Sequence, residues 1–216
     1  LAFAEAGADV AAIDLATNEL RRATDEIRGF GRQALGVTAD VGREDQVREA
    51  VNTVLSGFGK VDILCNNAGI VLARPIAVVP EMRVPDWLSE LREGALASLS
   101  VEEWHRVMDT NLTSAFLFAR EVGPHMMEKK RGKVINISST SAWKGTPYYA
   151  AYCVSKAGLS SFSRCLASEW AQFNINVNAI APGTVDTEMT APDLANPDRK
   201  QFLLDAIPLG RLADPG

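Results

Sequence analysis

Short, nearly continuous apolar runs alternate along the chain with longer stretches whose apolar positions recur at helical spacing. Asp9–Ile13, Ala34–Thr38, Val61–Cys65, Lys133–Ile137 and Ile175–Ile180 read as strands. Between and after them, Thr17–Phe30, Glu44–Phe58, Val101–Lys130 and Ala150–Phe173 read as helices, the second with Val47, Val51, Val54 and Leu55 on one face. Strands this uniformly apolar belong in a parallel sheet covered on both faces. The pattern therefore predicts a single α/β domain over residues 1–216, a Rossmann-like doubly wound parallel sheet. No repeat, low-complexity tract or interdomain linker divides it.

Two segments interrupt the alternation. Residues 70–100 contain Pro75, Pro80 and Pro85, then Trp87–Leu91, which reads as a short amphipathic helix. The second, Thr184–Pro208, carries Pro192 and Pro197 and a short helix around Arg199–Ala206. Both follow the carboxyl end of a strand, where open α/β sheets bind ligands. Each is a candidate lid over a substrate mouth, although the first reads equally well as a surface insertion.

Composition narrows the function classes. Hydrophobic residues make up 47% and charged residues 23% of the 216 positions, as in ordinary globular domains. A formal charge of −5 offers nothing to nucleic acid or an anionic membrane, so neither is expected as a partner. Cys65, Cys153 and Cys165 are scattered and are read as buried thiols of a reducing compartment, with no metal site or disulfide framework. No apolar run reaches membrane-spanning length and Leu1–Ala4 lacks the features of a secretory leader; the expected location is the cytoplasm.

The candidate chemistry sits at the carboxyl ends of the strands. Asp14 ends the first; a carboxylate there accepts the hydroxyls of an adenosine ribose and repels a 2′-phosphate, which favours NAD over NADP. A helix cap is the competing role for Asp14, one that Thr17 or Asn18 also suits. Asp40–Val41 ends the second strand, within reach of an adenine amino group. Asn66-Asn67-Ala68-Gly69 ends the third, its small residues allowing close backbone approach to a ligand. Tyr152 and Lys156 are i and i+4 on a predicted helix and share a face, so the ammonium is expected to lower the phenol's pKa and make it a general acid or base. Ser139, just past the fourth strand, is placed to donate to the same carbonyl oxygen. An isolated Tyr-x-x-x-Lys pair would read as helix surface; Ser139 shifts that reading towards catalysis.

These motifs, taken with Asp109-Thr110-Asn111-Leu112, Ile137-Ser138-Ser139, Tyr152-Cys153-Val154-Ser155-Lys156 and Ala181-Pro182-Gly183 continuing to Thr187, occur in an order and spacing that resemble the short-chain dehydrogenase/reductase family. The resemblance implies that Tyr152 exchanges a proton with the substrate oxygen while Ser139 polarises it, and that Lys156 bonds the nicotinamide ribose. It implies that Asn111 holds a backbone kink and a proton-relaying water, that Asn67, Ala68, Gly69, Pro182 and Gly183 lie along the cofactor, and that Val185 and Thr187 meet the carboxamide. It implies hydride transfer between a nicotinamide cofactor and a small alcohol or carbonyl substrate; the competing readings are a dinucleotide-binding sensor or scaffold without catalysis, and an inactive truncated fragment. The family covers 3-oxoacyl thioesters, sugars, steroids and xenobiotic alcohols. Trp104, Phe116, Phe118, Phe162 and Trp170 make the two long helices apolar on more than one side, and the resemblance implies a homodimer or homotetramer built on them. His105 and His125 are read as surface or packing residues, and Lys129-Lys130-Arg131 as complements to a helix C-terminus.

The sequence departs from the family pattern at both ends. Leu1–Gly7 resembles the end of the helix that follows the family's glycine-rich turn, and Pro208–Leu212 the start of its closing segment. The first strand, the glycine-rich turn and the final helix and strand are thus expected to be lacking, as in a fragment of a longer protein. In the strand order 3-2-1-4-5-6 the first strand is central, so its absence predicts a break of about 10 Å in the sheet and a weakened cofactor cradle.

Overall fold

The computed structural model describes residues 1–79, 81, 82, 84 and 97–214. The helix expected at Trp87–Leu91 lies outside them. After a short helix α1 (Ala2–Glu5), strand β1 (Val10–Asp14) leads into α2 (Thr17–Gly29), β2 (Ala34–Thr38), α3 (Glu44–Phe58) and β3 (Ile63–Asn66). Helix α4 (Val101–Met108) passes through a π-helical turn, Asp109–Thr113, into α5 (Ser114–Glu128). Then come β4 (Gly132–Ile137), α6 (Ala150–Trp170), β5 (Ile175–Ile180), α7 (Ala191–Ala195) and α8 (Pro197–Asp205).

Every strand pairing is parallel, as the apolar pattern predicts. The strands nonetheless form two sheets: β1 with β2, register Val10↔Ala34 to Asp14↔Thr38, and β3-β4-β5 in that order. Among the described residues, no strand pairs with the remaining edge of β1 or of β3. The division falls where the central strand of a doubly wound sheet stands. The expectation of strands buried on both faces is corrected: β1, β2 and β3 contain no buried residue, whereas in β4 Gly132, Val134 and Asn136 are buried. A strand with an open edge leaves its neighbours' side chains partly in water, and Ile63 of β3 is 42% exposed.

The core gathers around β4 and β5. Val47 and Val51 of α3, Leu117, Phe118, Val122 and Met126 of α5, Leu166 and Trp170 of α6, and Val134, Ile175 and Val177 of the strands form one cluster. Helix α3 follows from its pattern: Val47, Ala50, Val51 and Val54 are its buried stripe, Glu44 and Asp45 sit at the positive end of its dipole, and Gly59 closes it in a left-handed conformation at φ 69°. Trp170 lies against Gly123, where a β-carbon would stand 2.9 Å from the indole, so glycine is what lets α5 and α6 approach there. The cysteine expectation is also corrected. Cys65 and Cys165 are exposed and Cys153 is half-buried. Cys65 takes an outward position in β3, and Cys165 falls beside Leu166, on the outer side of a helix whose buried stripe runs through Ser163, Leu166 and Trp170.

Candidate active site

The expected long helix over Val101–Lys130 is instead two helices joined at the π-helical turn, and that turn carries Asn111. Its amide is 2% exposed and bonded on every side. Oδ1 accepts from the Ile70 N–H at 2.8 Å, while Nδ2 donates to the Ile70 carbonyl at 2.9 Å and to Ser155 Oγ at 3.0 Å. Ser155 Oγ in turn donates to the Tyr152 carbonyl at 2.7 Å. Asn111 thus clamps the segment after Asn67-Ala68-Gly69 to the first turns of α6. Close approach makes this possible: a β-carbon on Gly158 of α6 would come within 2.8 Å of Leu112.

The fourth strand delivers two serines with opposite roles. Ser138 Oγ is buried between Ser160 Oγ, at 2.6 Å, and the Lys156 carbonyl, at 3.0 Å, and pins the strand end to α6. Ser139 faces the other way, as alternation along extended backbone requires. Its Oγ accepts from Ser141 N–H at 3.1 Å, which starts a turn of 3-10 helix, Thr140–Ala142. Backbone pairing continues past the strands, with Ser138 N–H donating to Ile180 O at 2.7 Å and Thr140 N–H to Pro182 O at 3.0 Å, so the Pro182-Gly183 turn is tied to the Ser139 segment.

Tyr152 and Lys156 share one face of α6, as their spacing predicts. The expected electrostatics are corrected. Lys156 is 4% exposed, and its Nζ donates to the Ile137 carbonyl at 2.8 Å while standing 5.8 Å from the centre of the Tyr152 ring. Burial is what sets both groups: it pushes the Tyr152 phenol above its usual range, against the downward pull of its hydrogen bond with Ser139, with Cys153 adding a smaller upward push. It lowers the Lys156 ammonium to about 8. Spacing alone does not reveal desolvation, which here outweighs the proximity of the two side chains.

Gly69 explains how the third strand's loop reaches this site. A β-carbon there would lie 3.2 Å from Lys156 Nζ and 3.5 Å from Asn111 Oδ1. Asn67 and Ala68 are exposed beside it. Asp14 is exposed at the end of β1, with Oδ1 accepting from Ala16 N–H at 3.0 Å; the residue that caps α2 is Ala16, and Thr17 Oγ1 meets Thr38 Oγ1 at 3.4 Å. Asp40 Oδ1 accepts from Gly42 N–H at 2.9 Å, and the Asp40 N–H donates to Gln46 Oε1 at 2.7 Å, leaving Val41 packed against the core. Val185 bridges to Ala213, and Thr187 N–H donates to Thr190 Oγ1 at 3.0 Å.

Asn111, Ser139, Tyr152, Lys156 and Gly69 are therefore brought together. Asp14 and Asp40 stand at neighbouring strand ends and share no described hydrogen bond with them. These groups fit a dinucleotide. Gly69 leaves room beside Lys156, whose ammonium keeps two of its three donors for a ligand among the described contacts, and Asp14 keeps free acceptor capacity for hydroxyls. Sequence reasoning missed Ser138 and Ser155. Their signals were present, Ser138 adjoining Ser139 on a strand and Ser155 at i+3 from Tyr152, but only the packing tells which hydroxyl faces the core.

Among the described residues no group of three or more His, Cys, Asp and Glu side chains is placed to hold a metal, and no helix is long and apolar enough to cross a membrane.

Residues 1–198 match the family model described as short chain dehydrogenase. The chain is 36% identical over 215 residues to a subunit of (2S)-((R)-hydroxy(phenyl)methyl)succinyl-CoA dehydrogenase of Thauera aromatica, covering 100% of this chain and 77% of that one. It is 34% identical to 2-dehydro-3-deoxy-D-gluconate 5-dehydrogenase of Escherichia coli, covering 98% and 75%. A solved gluconate 5-dehydrogenase from Burkholderia cenocepacia, in complex with NADP and tartrate, superposes with a TM-score of 0.82 at 28% identity, covering 98% of this chain and 75% of that one.

Proposed function

The chain belongs to the short-chain dehydrogenase family, and from that premise we propose that it is an oxidoreductase acting on a secondary alcohol or its ketone, with a nicotinamide cofactor, NAD in preference to NADP, as the redox partner. The observation that carries the reading is the convergence of Ser139, Tyr152 and Lys156 on one face of α6, braced by Asn111.

When bound, the cofactor supplies or takes up the hydride. The chain's own residues handle the oxygen and its proton. In the reducing direction the Tyr152 hydroxyl gives its proton to the substrate oxygen as that oxygen becomes an alcohol, and in the oxidising direction the phenolate takes it back. Ser139 donates a hydrogen bond to the same oxygen and polarises the carbonyl without a metal. Lys156, with its Nζ 5.8 Å from the centre of the Tyr152 ring, serves to bind the cofactor rather than to lower the phenol's pKa, which burial sets. Its two remaining donors suit ribose hydroxyls, with Asn67, Ala68, Gly69, Pro182, Gly183, Val185 and Thr187 along the rest of the cofactor. The Asp14 carboxylate supports the preference for NAD, because a 2′-phosphate beside it would meet like charge. The NADP bound in the Burkholderia relative makes this preference a point to measure.

For the substrate, sugar acids, other secondary alcohols and 3-oxoacyl thioesters form the class to screen. The exposed Phe116, in edge contact with Phe162, supports a homodimer or homotetramer through α5 and α6. In a panel of these substrates with each cofactor, Tyr152→Phe is expected to lower kcat at least a thousandfold while NADH still binds. Undiminished turnover in that variant rejects the role of Tyr152, and equal kcat/KM for NAD and NADP in the unaltered protein rejects the role of Asp14.

A further inference from the structure

The segment that follows Gly69 is laced down twice, once to the π-helical turn and once to α4. At its start Ile70 is held by Asn111 through the paired amide bonds. Four residues on, Arg74 Nε donates to Glu103 Oε1 at 3.2 Å. Glu103 is itself fixed: its Oε2 accepts from the Ser100 N–H at 3.1 Å while its own N–H donates to Ser100 Oγ at 3.1 Å, a capping box that anchors the first turn of α4. Beside this pair the Leu99 N–H donates to the Pro75 carbonyl at 2.8 Å, which brings the strands of chain on either side of the pair together.

The main chain of Arg74 meets a second wall. Its N–H donates at 2.7 Å to the carbonyl of Tyr148, a residue in the left-handed region at φ 71°. A non-glycine residue rests there only when its surroundings hold it. Tyr148 precedes Tyr149, the N-cap of α6, and stands four positions before Tyr152.

We infer that Glu103 and Arg74 act together as positioning residues for the reaction. Their ion pair holds the Arg74 backbone where its N–H captures the Tyr148 carbonyl, and that contact fixes the entry of α6 and hence the place of Tyr152 relative to Ser139. The inference rests on the reading of Tyr152 as the proton-exchanging group. Neither side chain contacts the four candidate catalytic residues in the described structure, so the effect passes through the backbone.

Glu103→Gln isolates the pair, because glutamine still accepts from the Ser100 N–H and keeps the capping box while losing the charge. The expected result is a roughly tenfold fall in kcat/KM, carried by kcat, in Glu103→Gln, in Arg74→Gln and in the double variant alike, with the dissociation constant for NADH unchanged. Amide hydrogen exchange, read without substrate, is expected to quicken across residues 146–154 in each variant and to stay unchanged in α3. Unaltered exchange over 146–154 overturns the inference whatever the assay shows, and so does a fall confined to Arg74→Gln, which would make Arg74 a substrate contact. Additive losses in the double variant overturn it as well. Should Tyr152→Phe prove fully active, the reading of the reaction fails, yet the exchange measurement still decides the coupling.

Discussion

Lys156 is the residue at which burial and function pull hardest against each other. An ammonium that is 4% exposed, with one carbonyl as its described partner, is held at about 8 when its ordinary value is 10.5. Below pH 8 both the folded and the unfolded chain carry the charge, and the folded state bears the whole desolvation penalty, about 3 kcal/mol. Between pH 8 and 10.5 the unfolded chain binds more protons, so this group's penalty fades as the pH rises. Lys156→Met is therefore expected to raise Tm at pH 7, and the gain over the unaltered protein to shrink towards pH 10; a gain equal at both pH values rejects the account. The identity of this residue was legible from Tyr-Cys-Val-Ser-Lys. Its electrostatic state was not, since the i, i+4 spacing shows that two groups share a face but not what water they lose. Asn111 shows the same division. Its motif was readable, while its paired bonds to Ile70 depend on a loop that comes forty-one positions earlier in the chain.

At the scale of elements, the strands and the helices α2, α3 and α6 lie where their apolar periodicity puts them, and the helices together with β4 and β5 bury the stripe that periodicity encodes. The break between α4 and α5 was hidden: a π-helical turn adds one residue to the repeat, and no proline or glycine between Val107 and Leu117 marks it. The wider turn carries Asn111 towards α6. On the outer side of α5, Phe116 is 45% exposed, its ring 6.5 Å from Phe162 in edge contact and 5.5 Å from the Arg120 guanidinium. An aromatic left this open on two adjacent helices suits a contact with a second copy. Sedimentation of the unaltered protein is expected to give a dimer or tetramer and that of Phe116→Glu a smaller species; a monomer before substitution rules the contact out.

For the whole molecule, the division of the sheet sets the distribution of stability. The β3-β4-β5 sheet has β4 and the α5–α6 core behind it. The β1-β2 pair has no buried residue and is a two-stranded sheet, a form that is marginal by itself. Native-state hydrogen exchange is therefore expected to show the amides of β1 and β2 opening at lower free energy than those of β4, and equal protection would contradict it. The division itself was legible in the chain's motifs: in the family strand order, β1 and β3 fall on either side of the central position. How unevenly the remaining strands are covered was not legible, because a strand's exposure depends on its neighbours across an edge rather than on its own composition.

The unexpected exposure of Cys65 and Cys165, with Cys153 half-buried, turns the native chain into its own set of reporters. Cys65 stands on the strand that borders the division, Cys153 next to Tyr152 with its sulfur 3.8 Å from the Lys144 carbonyl, and Cys165 on the outside of α6. Each can be alkylated and its rate read separately by peptide mass. Anything that fills the division would slow Cys65, and anything that seats against Tyr152 would slow Cys153. Cys165, remote from both, supplies the internal clock against which the other two are measured.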